Sequence, residues 1–155
     1  MKQSTKLRQD CIRTEAADYL KTWIGTPYFW GGNDFYAFDC SGLVVEVLQA
    51  HGILKRGTDY SAQGLRELFK NHRQPEKPYI GCLVFWVNNQ NRATHVAMCL
   101  NDMFIIHASG GGRFTNTLKG AIQDDAFVKK DFLPAEIERR TGYQVEFLDP
   151  FGGEE

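Results

Sequence analysis

Residues 78–108 read PYIGCLVFWVNNQNRATHVAMCLNDMFIIHA, and within them the chain changes from one kind of structure to another. Cys82-Leu83-Val84-Phe85-Trp86-Val87 concentrates branched and aromatic residues, as a buried strand does. His95 to Leu100 and Met103 to Ala108 repeat the pattern and are separated by Asn101-Asp102. Further on, weaker strands fit 126–130 and 143–148, with a short helix opening at Pro134 between them.

Upstream of Pro78 the apolar spacing is helical. Leu7, Cys11, Ile12, Ala16, Tyr19, Leu20, Trp23 and Ile24 draw one stripe on a helix that Gly25-Thr26-Pro27 ends. Asp39 caps a second helix running to about His51, with Leu43, Val44, Val47 and Leu48 inward and Gly52 as terminator. A third begins at Ser61 and buries Leu65, Leu68 and Phe69. Helices first and strands second predict an α+β fold, with the helices on one face of a mainly antiparallel sheet of about five strands. A chain of 155 residues has room for one core, so residues 1–151 read as a single domain and 152–155 as a loose tail.

Composition narrows the function. With 43% hydrophobic and 24% charged residues, the chain is neither disordered nor a coiled coil. No apolar run approaches the roughly 20 residues of a membrane span. Eighteen basic against nineteen acidic residues, without a basic cluster, make nucleic acid an unexpected partner. Polar residues interrupt every apolar one in the first twenty, so no signal-peptide core is expected and the protein reads as made in the cytoplasm. Cys11, Cys40, Cys82 and Cys99 form no C-x-x-C pair; reduced thiols and no metal site are expected.

Cys40 stands in Asp39-Cys40-Ser41-Gly42-Leu43, at a helix N-terminus, where unpaired backbone N–H groups favour a thiolate. A small buried hydrophobe is an equal reading from position alone. The Asp39 carboxylate opposes thiolate formation, so a cationic partner is required. His51 and His72 read as surface residues, whereas His95 and His107 stand where two adjacent strands meet their rim. Cysteine, base and orienting residue follow in the order that nucleophilic catalysis needs. For the two imidazoles to share a face, pairing His95 opposite His107 also pairs Cys99 with Met103, and the connection is then Leu100-Asn101-Asp102 or contains a bulge; a plain two-residue turn would separate them.

Thr26-Pro27-Tyr28-Phe29-Trp30-Gly31-Gly32, Asp39 to Val44, Gly81 to Trp86, His95 to Met98 and Ile106 to Ser109 together resemble, in order, the motifs of the NlpC family of bacterial cell-wall cysteine endopeptidases. The resemblance implies a papain-like fold with Cys40 as nucleophile, His95 as general base, His107 orienting the imidazole, and Tyr28 beside the thiolate. Asp39 and Ser41 match positions that line the substrate site, although Asp39 as a plain helix cap is an equal reading. No cofactor is implied. The implied substrate is the peptidoglycan stem peptide, cut between D-glutamate and diaminopimelate or across a D-amino-acid crosslink, at the cell wall. An acyltransferase or amidase, or a non-catalytic phage-tail module, are the alternatives. Val145 to Phe151 is similar to the ends of phage-encoded relatives, which makes phage tail proteins candidate partners. Two positions depart from the pattern: Cys82 stands where the family often has an acidic residue, and Thr58 to Gln63 lacks its Arg-Thr pair.

Overall fold

Backbone groups in the strand-rich half find their partners in one antiparallel sheet, and the helical half lies against it. The structure, a computed structural model, describes residues 2–30, 33–34 and 37–152. In chain order the elements are α1 (Lys2–Lys21), β1 (Asn33–Asp34), β2 (Ala37–Phe38), α2 (Cys40–Ala50), α3 (Ala62–Leu68), β3 (Leu83–Val87), β4 (Ala93–Cys99), β5 (Phe104–Ser109), α4 (Leu118–Gln123), β6 (Phe127–Phe132), α5 (Leu133–Arg139) and β7 (Gln144–Leu148). The five-stranded sheet has the order β6-β5-β4-β3-β7, with every neighbouring pair antiparallel. The expected α+β architecture is therefore present. The short pair β1-β2 and helix α4 carry too little periodicity to be read from sequence.

Alternation along the strands splits the core in two. Val96, Met98, Ile106 and Ala108 join the large cluster that contains Leu43, Val44, Val47 and Leu48 of α2. Ala97, Cys99, Ile105, Val84 and Trp86 face the other way, in a smaller cluster with Leu133 and the half-buried Ile137 of α5. Helix α2 is buried along its first turns, from Ser41 to Leu48. Helix α1 departs from its stripe: Leu7 is 60% exposed and Ile24, just beyond the helix, 47%, and among its described side chains only Arg13, Ala16, Ala17 and Leu20 are buried. The stripe reaches the core only where the helix crosses it. Leu68, expected inside, is 41% exposed at the end of α3.

The C-terminal segment is tied down by one buried carboxylate. Asp149, fully buried, accepts from Arg13 Nη2 at 2.6 Å, Tyr79 Oη at 2.6 Å and the Phe151 backbone N–H at 2.9 Å. Gly152, expected in the tail, donates to the Asp149 carbonyl; residues 153–155 lie outside the described residues. All four cysteines are free. Among the described residues, no helix is long and apolar enough to cross a membrane.

Candidate active site

Asp39 adopts extended backbone angles and its Oδ1 accepts from the Gly42 N–H at 2.7 Å, which fixes the start of α2 and sets Cys40 in its first turn. Ser41 Oγ donates to the same oxygen at 3.3 Å. Cys40, Asp39, Ser41, Tyr28 and His95 line one cleft of about 400 Å³, together with Asp59, Ser109 and Arg140. His107 is completely buried behind it.

The histidines are placed by register. Met98 pairs with Ile106 and Cys99 with Ile105, so odd-numbered residues of β4 and β5 share a face, and His95 and His107 are among them. The expected parity holds, but the expected register does not. His95 is not directly opposite His107; the two are offset along the strands, and the three-residue connection is 101–103, closed by the Leu100 N–H on the Phe104 carbonyl. The offset is what brings ring nitrogens into contact: His95 Nε2 and His107 Nδ1 are 2.8 Å apart. At the other end of β4 the pairing jumps from Trp86–His95 to Val87–Ala93, leaving Thr94 as a bulge beside the base. The freed Ala93 N–H donates to Gln63 Oε1 of α3 at 2.7 Å.

Sequence reasoning missed two charged residues here. Asp131 Oδ2 lies 2.7 Å from His107 Nε2. Arg140, just past α5, reaches into the cleft wall, where Nη2 donates to Ser109 Oγ at 3.1 Å and the guanidinium stacks 5.3 Å from the centre of the Trp86 ring. Arg140 is a cation whose charge acts on Cys40 against that of Asp39, without outweighing it. Asp131 was legible only by continuing the 126–130 strand for one more alternation.

Burial, and then the Asp39 carboxylate, push the Cys40 thiol up to about 11, while the Ser41 and Val96 backbone N–H groups and Arg140 pull the other way. Of the two opposed influences expected at Cys40, burial and the Asp39 charge outweigh the helix N-terminus. Burial also holds His95 well below its usual value, helped by the nearby His107, Arg140 and Arg139. At neutral pH the pair is a thiol beside a neutral imidazole, and no hydrogen bond joins Cys40 to His95 in this arrangement. The Tyr28 phenol is pushed upward by burial, Cys40 and Asp39, and stays protonated.

The loop after β5 secures Tyr28. A Cβ on Gly111 would fall inside the Tyr28 ring, and one on Gly110, whose φ is +96°, would strike the Asp125 carbonyl; one on Gly112 would meet nothing. As for metals, His107, Asp131 and Glu136 offer ligand atoms within 4.8 Å of one another. Asp131 is already bonded to His107, and Glu136 to Arg139 and Arg140.

Known proteins share both pattern and fold. The chain is 34% identical over 107 residues to a gamma-D-glutamyl-L-lysine dipeptidyl-peptidase of Bacillus cereus, covering 64% of this chain and 31% of that protein. It is 31% identical over 124 residues to the probable endopeptidase NlpC of Escherichia coli, covering 76% of this chain and 73% of that protein. The chain spans only 31%, 26% and 24% of the first three curated relatives it matches. The P60 domain of an antigen from Mycobacterium avium subspecies paratuberculosis superposes with a TM-score of 0.67 at 18% identity, covering 93% of this chain and 98% of that one, a likeness of fold. Because the NlpC/P60 family model matches residues 25–131, a stretch that holds Tyr28, Cys40, His95, His107 and Asp131 alike, the chain belongs to the NlpC/P60 family.

Proposed function

We propose that the protein is a cysteine peptidase that hydrolyses an amide bond in the peptidoglycan stem peptide. The observation that carries this reading is Cys40 at a helix N-terminus in an open cleft, beside a histidine whose far nitrogen is held by a second histidine. His95 Nε2 is occupied by His107, so Nδ1 is the nitrogen left for the thiol. It takes the proton as Cys40 Sγ attacks the amide carbonyl carbon. The tetrahedral oxyanion is met by the Tyr28 hydroxyl and by backbone N–H groups at the start of α2. The imidazolium returns its proton to the leaving amine nitrogen as the C–N bond breaks, giving a thioester. Water, deprotonated by His95, then attacks the thioester; Sγ leaves and recovers the proton.

Asp39, Asp59 and Arg140 all line the cleft, so it offers both signs of charge to a substrate carrying both an amine and a carboxylate, as diaminopimelate in a stem peptide does. We assign the bond between D-glutamate and diaminopimelate on that ground; a D-amino-acid crosslink is the other bond to test. Purified protein incubated with muropeptides of defined sequence should release fragments cut there, read by mass spectrometry. The assignment fails if only another bond is cut, and the substrate fails if no peptidoglycan chemotype yields a new fragment.

The pH profile follows from the two perturbed groups. Only neutral His95 accepts the thiol proton, so activity rises with pH through its lowered value and is already full below the ordinary imidazole range near 6.5. It falls only as Cys40 loses its proton near 11, when no imidazolium remains to protonate the leaving amine. Steady-state kcat/KM against pH checks this; an alkaline limb near neutrality would mean a resting ion pair. Gly111→Ala should push the Tyr28 ring aside and lower kcat on the order of 10²-fold, with Gly112→Ala near wild type. Equal rates for the two variants would remove Tyr28 from the mechanism.

A further inference from the structure

We propose that Asp131 is a positioning residue which, through His107, fixes the proton-accepting tautomer of His95. The inference rests on the peptidase reading above and deepens it.

A carboxylate only accepts hydrogen bonds, so the 2.7 Å contact to Asp131 Oδ2 requires the proton of His107 on Nε2. A neutral His107 then has its lone pair on Nδ1. At 2.8 Å from that lone pair, His95 Nε2 must be the donor. A neutral His95 with its proton on Nε2 has its lone pair on Nδ1, facing the thiol. One charge at the far end of the line thus selects the state of the base two residues away. With the opposite tautomer at His107 the line reverses, and His95 presents an N–H to the thiol instead of a lone pair.

The strands make this possible. His107 pairs with Lys129 and Ile105 with Asp131, so His107 and Asp131 share the odd-numbered face of β5 and β6 and meet across the same kind of diagonal as His95 and His107. His107 is fully buried and a neutral ring could donate in either sense; Asp131 is 31% exposed by side chain, on the edge strand β6, where a carboxylate stays solvated and charged. The bond from His107 holds the Asp131 carboxyl below its usual range, so it is ionised wherever the enzyme works. When His95 becomes an imidazolium, its Nε2–H donates to His107 and the His107 Nε2–H to Asp131; both dipoles point in the stabilising sense and no further proton moves.

Histidine-labelled protein tests this by ¹⁵N NMR at neutral pH. His95 and His107 are expected to carry their protons on Nε2 in the wild type. In Asp131→Asn, whose amide can donate as well as accept, His107 is expected to populate the Nδ1–H form and His95 to follow. On a cleaved muropeptide this variant should lose on the order of 10²- to 10⁴-fold in kcat with KM unchanged, and Asp131→Glu should recover part of the loss. The exposed edge position leaves the fold in place, which thermal melting checks. An Nδ1–H tautomer at His95 in the wild type, or unchanged tautomers and kcat within twofold in Asp131→Asn, would overturn the proposal. If no peptidoglycan fragment is cleaved by the wild type, the peptidase reading fails while the tautomers still decide the role of Asp131.

Discussion

Cys40→Ala is expected to abolish fragment release from peptidoglycan, with kcat falling roughly 10⁵- to 10⁶-fold, as when a covalent nucleophile is removed from a working set. The melting temperature should stay within a few degrees, because the side chain is small, lines the cleft, and its replacement strands no charge. No other cysteine can substitute. Cys11 lies on the exposed side of α1, and Cys82 and Cys99 are completely buried in the smaller core cluster. Parallel assays of His95→Ala should give a loss of the same order, since a thiol raised to about 11 is almost wholly protonated at neutral pH and needs its base. Retention of more than a few per cent of the wild-type rate by Cys40→Ala would place the nucleophile elsewhere.

The largest effect on stability is expected at Asp149. Its carboxylate is fully buried and bridges Arg13, Tyr79 and the Phe151 backbone. Asp149→Ala strands the Arg13 guanidinium, whose side chain is only 8% exposed and whose remaining ion partner, Asp10, lies near the surface. Breaking a buried pair from one side costs about 3–5 kcal/mol, which for a domain of this size lowers the melting temperature by roughly 10 °C. Chemical denaturation checks the figure, and a loss below about 1 kcal/mol would show the pair to be worth no more than a surface one. The double variant Arg13→Met, Asp149→Leu should regain only part of the loss, because it leaves no charge unpaired but still deprives the Tyr79 hydroxyl and the Phe151 N–H of their acceptor. None of these residues lines the cleft, so the specific activity of folded protein should not change.

What could be read from the sequence follows how local the cause is. The strands from Leu83 to Ser109 and the helix from Cys40 are set by neighbours in the chain, and each was legible within about two residues. The cap at Asp39, three residues before Gly42, is local in the same sense. Parity placed His95 and His107 on one face, but their offset along the strands depends on how β4 and β5 pair, and that is decided by the turn at 101–103. The balance at Cys40 between helix N-terminus and Asp39 could not be read from sequence, because desolvation is a property of the assembled cleft. Asp131 and Arg140 arrive from 91 and 100 residues beyond Cys40, and only the folded sheet shows what they meet. The failure of α1 to bury Leu7 has the same origin: periodicity gives a helix its face, but not how far along its length the core extends.

After β6 the chain passes through α5 and returns on the far edge of the sheet as β7, and on the way it sets Arg140 in the cleft wall. The nucleophile, the base, and the residues behind the base all lie within 25–131; this cation stands outside them. Its charge nevertheless bears on the thiol and on the base. Any change at residue 140 therefore alters the cleft wall that a substrate meets and the electrostatics of the reacting pair together.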